Sequence, residues 1–114
     1  MQPSGAIREA KKGTAELIVL AVLEDEPRHG YELSKIIEVR SGGALTYNFA
    51  SLYATLYKLE HRKWIQGRWV EKAGQRRRRY YRITAEGREV LAVQRRDWQQ
   101  FFRLIRDLAG VRYA

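Results

Sequence analysis

The sequence predicts an α+β fold, mainly helical and built as one small domain, on three observations. Three apolar helical patterns follow one another up to Lys63, an alternating segment fills Trp64 to Ile83, and a long amphipathic pattern closes the chain. At 114 residues the chain is long enough for one core and too short for two ordinary domains.

Residues 1–12 are polar, with Pro3, Ser4 and Gly5, and read as a flexible leader, or as a short basic arm if Arg8, Lys11 and Lys12 meet phosphates. The run Leu17 to Leu23 is apolar nearly all round, as suits a helix enclosed by others. Asp25-Glu26-Pro27 ends it, and His29-Gly30 lead into a second helix in which Tyr31, Leu33, Ile36 and Ile37 recur close to the helical period. Ser41-Gly42-Gly43 is a turn. After Thr46-Tyr47-Asn48 a third helix places Leu52, Leu56, Leu59 and Lys63 on one face and Ala50, Ala54, Tyr57 and His61 on the other. Ile65, Gly67, Trp69 and Glu71 then alternate with polar neighbours, Ala73-Gly74-Gln75 supplies a turn, and Tyr80 to Ile83 return, which makes an arginine-rich β-hairpin.

Residues 84–114 form the last element. Thr84 is placed to cap it, and Glu86 and Glu89 suit the positive end of its dipole. Leu91, Trp98 and Ile105 lie seven apart with Phe101 and Leu108 as a companion row, a heptad-like seam broken by Gln94. Phe102 and Leu104 widen that apolar surface beyond what one small domain can cover, so the seam, Leu91, Trp98, Phe101, Ile105 and Leu108, is the expected dimer interface.

The charge is strongly one-sided. Lys and Arg number 22 against 13 Asp and Glu, a net +9 at pH 7. The segment Arg62 to Arg82 holds nine basic residues and one acid, Glu71, and so carries +8 of it. A charge gathered into one short segment is the footprint of a polyanionic partner, since a merely solvated surface mixes both signs. The absence of Cys removes disulfides, thiolate nucleophiles and Cys-based zinc sites, and two His cannot complete a metal shell, so no metal or other cofactor is expected. No stretch approaches the ~20 apolar residues of a membrane span, and no cleavable signal opens the chain, so a cytoplasmic protein without a membrane partner is expected. Glu32, Glu38 and Glu60 stand singly near Lys35, Lys58 and Lys63, as surface pairs rather than an acid/base couple. With no nucleophile beside a base, no enzyme is expected.

Helices followed by a hairpin give the order of a winged helix-turn-helix over residues 13–83, with a long C-terminal dimerisation helix. The third helix divides as a recognition helix must: Leu52, Leu56 and Leu59 seat it, while Ser51, Tyr53, Ala54, Tyr57 and Lys58 face a duplex. Arg76, Arg77, Arg78 and Arg79 on the hairpin reach phosphates or a minor groove, which gives affinity with little sequence information.

These residues resemble the PadR-like family of bacterial transcriptional regulators. The resemblance rests on Lys12 to Leu17, on Arg28-His29-Gly30-Tyr31-Glu32-Leu33, on Ser51-Leu52-Tyr53 with Leu56 and Leu59-Glu60, and on Arg77 to Gly87, and covers roughly Lys11 to Ile105. It implies a homodimeric repressor on a pseudo-palindromic operator, released by a small molecule or other signal. Ser51 and Tyr53 would then meet DNA and Tyr80 and Tyr81 would fix the wing. Ala54 stands where many members have proline. The chain looks like the short branch of the family, and in some short members aromatic residues of two subunits line a central pore for planar hydrophobic compounds. Trp98, Phe101 and Phe102 are the corresponding ligand candidates. Two alternatives stay open: an RNA-binding basic module, and an aromatic-ligand sensor using the dimer interface.

Overall fold

The computed structural model describes residues 5–112, and the side chains of residues 13–112. The described residues form four helices, α1 (Gly5–Val22), α2 (Gly30–Arg40), α3 (Phe49–His61) and α4 (Ala85–Ala109), and a small sheet of β1 (Arg28–His29), β2 (Ile65–Val70) and β3 (Arg78–Ile83), with α2 and α3 against the sheet and α1 packed among the other helices. The strands lie antiparallel in the order β1-β3-β2, with Gly67 opposite Tyr81, Trp69 opposite Arg79 and His29 opposite Tyr80. Strand β1 is a finding beyond the expected hairpin. Its two residues extend the sheet by pairing with β3, and they tie the entry of α2 to the wing.

The first helix also starts earlier than the leader at residues 1–12 suggests. It runs from Gly5, because Ala6, Arg8, Glu9, Ala10, Lys11 and Lys12 are good helix formers once the Pro3-Ser4 signal is passed. Met1 to Ser4 and the side chains of the expected basic arm lie outside the described residues.

Apolar patterning places the core. Val19, Leu20 and Leu23 of the α1 run and its following turn, Leu33 and Ile37 of α2, and Leu52, Leu56 and Leu59 of α3 close on Ile65, Tyr81, Ile83 and Leu91. Each fully buried leucine contributes roughly 1.5–3 kcal/mol relative to an exposed one. Lys63 does not continue the leucine face of α3. The helix ends before it in a left-handed turn, with Lys63 at φ 65°, its N–H donating to the Glu60 carbonyl and the Trp64 N–H to the Leu59 carbonyl. Leu91 departs from the expected dimer seam: at 1% exposure it belongs to this chain's own core and is not free to meet a partner. The first turns of α4 pack inward, and from Gln99 to Ala109 only Ile105 is even partly buried.

Side chains set the helix starts. Asn48 Oδ1 accepts from the Ser51 N–H at 2.8 Å, and Thr84 Oγ1 accepts from the Gly87 N–H at 3.0 Å. At α2 the cap is His29, whose Nδ1 accepts from the Glu32 N–H at 3.3 Å while Glu32 Oε1 accepts from the His29 N–H at 3.2 Å. A capping Nδ1 carries no proton, so the neutral ring holds its proton on Nε2, 3.3 Å from Glu32 Oε1.

Burial holds the His29 ring below its ordinary pKa of 6.5; Glu32 opposes that shift, while Arg78 and Lys72 add to it. The folded state therefore binds fewer protons than the unfolded state. The stabilisation is complete above pH 6.5 and is lost as pH falls through the folded value. Thermal melts between about pH 7.5 and pH 5 should show this loss, and His29→Asn, which keeps a cap acceptor without titrating, should flatten it. Equal pH profiles in the two proteins would contradict the assignment.

Candidate nucleic-acid interface

Helix α3 presents the outer face expected of it. Ser51, Ala54, Tyr57 and Lys58 are exposed, Tyr57 to 73%, with Tyr57 stacked on His61 at 6.3 Å between ring centroids. Tyr53 is half-exposed yet held in place. Its hydroxyl and ring occupy the space that a Cβ on Gly30 would fill, so the first residue of α2 leaves room for a tyrosine of α3.

The four consecutive arginines of the wing divide by environment. Arg76 and Arg77 are exposed beside the β2-β3 turn. Arg78 is partly buried, with Nη1 3.4 Å from His29 Nε2. Arg79 turns inward, where Nη2 donates to Glu60 Oε2 of α3, and the same carboxylate oxygen accepts from the Gly67 N–H at 3.0 Å. Glu60 is therefore no surface partner of a neighbouring lysine. Arg79, expected among the phosphate contacts, is engaged in joining α3 to the hairpin.

Between α3 and the wing runs a groove of about 720 Å³, walled by Tyr31, Phe49, Tyr53 and Trp69 and edged by the arginines. Tyr31, which suited a core or a surface role equally well, is 50% exposed and so belongs to this wall. Trp69 is also half-exposed, whereas Trp64 is partly buried against the core with Arg62 over its ring at 5.0 Å. Phe49 and Trp69 carry no local signal of exposure; alternation along β2 does mark Trp69 as sharing a face with Ile65 and Gly67. Burial raises the Tyr81 hydroxyl above its ordinary pKa, so it stays neutral beneath the groove.

Mixed arginine and aromatic side chains along a groove beside an exposed helix can neutralise phosphates and pack sugars or base edges. Among the described residues no group of His, Cys, Asp and Glu is placed to hold a metal ion, and no helix is long and apolar enough to cross a membrane.

A second surface lies on distal α4. Trp98 is partly buried and contacts Phe101 edge-on at 6.0 Å and Phe102 at 5.8 Å, while Phe101, Phe102, Leu104 and Leu108 are exposed. Gln94 Oε1, on the same helix, is buried without a hydrogen-bond partner.

Residues 19–93 match the family model described as the transcriptional regulator PadR-like family. Among solved structures, a transcriptional regulator from Clostridium thermocellum is similar at a TM-score of 0.80 and 27% identity, over 88% of this chain and 97% of that one. A PadR family transcriptional regulator from Eggerthella lenta is similar at 0.78 and 26%, over 94% and 91%. An uncharacterized protein X of Lysinibacillus sphaericus is 29% identical over 94 residues, 82% of this chain and 86% of its own length.

Proposed function

Because the chain belongs to the PadR-like family of transcriptional regulators, we propose that it acts as a homodimeric repressor on a pseudo-palindromic operator, reading duplex DNA with α3 and gripping its phosphates with the wing. The observation that carries the reading is the arrangement of an exposed α3 face, Ser51, Tyr53, Ala54, Tyr57 and Lys58, beside the exposed Arg76 and Arg77. Helix and wing lie on either side of one groove, as a module needs if it is to meet a major groove and the neighbouring backbone together. Affinity comes from the arginines and discrimination from α3.

The dimer is supported by the apolar stretch of distal α4. Phe101, Phe102, Leu104 and Leu108 lie exposed on one long helix, and a second copy would cover them. The Trp98, Phe101 and Phe102 cluster is then part of the interface, and a planar hydrophobic compound that enters it would act on DNA affinity through the spacing of the two reading heads.

The test is capture of duplex fragments by the purified protein at raised salt with nonspecific competitor. Retention of an inverted repeat supports the reading. Retention of no particular duplex, with RNA hairpins held in preference, would overturn it and bring forward a shape-reading RNA module.

A further inference from the structure

We propose that Trp69 and Arg79 are positioning residues that hold Arg77 in its DNA-contacting pose, through a guanidinium-aromatic stack anchored on Glu60 of α3. The inference rests on the duplex-binding reading above and adds a role that neither side chain has in it.

The geometry begins at Glu60. One carboxylate oxygen takes both the Gly67 N–H and the Arg79 guanidinium, so α3, β2 and β3 meet at a single acceptor. To arrive there Arg79 passes over Gly67: a Cβ at that position would stand 2.5 Å from Arg79 Nε and 2.7 Å from Cζ. The glycine is the gap through which the anchor reaches the helix. From that point Arg79 Cζ lies 5.8 Å from the Tyr81 ring centroid and 5.7 Å from that of Trp69, and Arg77 Cζ lies 4.9 Å from the Trp69 ring. Arg77 and Arg79 are two apart on the chain, and Trp69 stands opposite Arg79 in the β-ladder, so one indole serves both guanidinium groups.

The arrangement solves a problem the sequence creates. Four adjacent arginines repel one another, and an exposed arginine loses rotamer freedom when it takes up a phosphate. Glu60 neutralises Arg79, and the ring quadrupole of Trp69 attracts the cation of Arg77. Arg77 therefore approaches the duplex already restrained, at an angle fixed relative to α3. Arg76 has no such contact with Trp69, so the two exposed arginines differ in preorganisation although they carry the same charge.

The experiment is a double-mutant cycle on duplex affinity, read together with the mobility of Arg77 in the free protein. Trp69→Ala is expected to weaken binding about tenfold, the scale of one cation-π contact and the ordering it provides, and Trp69→Phe to recover part of the loss. In an Arg77→Ala background the same Trp69→Ala change should cost less than about twofold, because the residue it acts through is gone. A tenfold loss that persists without Arg77 would overturn the proposal and assign Trp69 a direct contact or a structural role. In the free protein, 15N relaxation at Arg77 Nε should report a restrained side chain that becomes mobile in Trp69→Ala; equal mobility in the two would also overturn it. Failure of the parent protein to bind any duplex would instead count against the DNA reading, while the relaxation measurement still decides the positioning. Trp69→Phe, which keeps a ring on the hairpin, serves if Trp69→Ala does not fold.

Discussion

With Arg76 and Arg77 both replaced by Ala, affinity for every duplex is expected to fall by about the same factor, on the order of 100-fold near physiological salt. The plot of log affinity against log salt should become shallower by about 0.9 for each phosphate that is no longer neutralised, hence by roughly 1.8 per wing and twice that for two wings. The four wing arginines differ in their surroundings. Arg76 and Arg77 are exposed, Arg78 is partly buried against His29, and Arg79 is engaged with Glu60, so the double variant removes the wing charge that is free to meet DNA and leaves the anchor intact. Tyr53→Ala should behave differently, changing the ranking of duplexes more than their mean affinity, because the proposed reading gives base contacts to α3 and backbone contacts to the wing. A loss confined to one sequence in the arginine variant, with an unchanged salt slope, would contradict the division of labour.

Gly87→Ala is expected to destabilise the fold by about 3 kcal/mol, at the upper end of the usual cost of overpacking. An added Cβ would lie 2.0 Å from the Trp64 carbonyl oxygen and 2.9 Å from Ile83 Cγ1. The carbonyl has nowhere to go. It accepts from the Thr84 N–H and from Thr84 Oγ1, both at 3.0 Å, and those bonds fix the cap of α4 against the start of β2. A drop in melting temperature of roughly 10–20 °C follows for a domain of this size. The contrasting substitution is Gly13→Ala in α1, where a Cβ meets nothing within 4 Å and helix propensity favours alanine. Calorimetry on the two variants should give opposite signs, and a Gly87→Ala protein that melts with the parent would refute the packing argument.

The helices were legible because each carries its own signal. The Leu17 to Leu23 run is apolar on every side, Leu52, Leu56 and Leu59 keep the helical period, and Thr84 precedes a long pattern with acids in its first turns. What escaped depends on register and on long-range pairing. Strand β1 is two residues long, and nothing within Arg28-His29 marks it; the partner strand makes it. The Glu60 to Arg79 anchor joins residues separated by a helix end and a hairpin turn, and only the β2-β3 register brings the carboxylate under the arginine. Heptad spacing placed Leu91 in line with Trp98 and Ile105, but spacing cannot tell a helix's contact with its own domain from contact with a partner, and burial assigns Leu91 to the core. At the site, the exposed face of α3 followed from the position of its leucines, whereas the aromatic wall of the groove did not. Tyr31, Phe49 and Trp69 come from three separate elements that only the tertiary structure gathers.

The measurement that tests the account most directly is the spacing of half-sites in the duplexes the protein retains at raised salt. Two reading heads related by a two-fold axis predict inverted half-sites about one helical turn apart, roughly 10 base pairs centre to centre, or a multiple of that. Retained fragments with single, unpaired half-sites, or with no common sequence at all, would contradict a dimeric reader of duplex DNA.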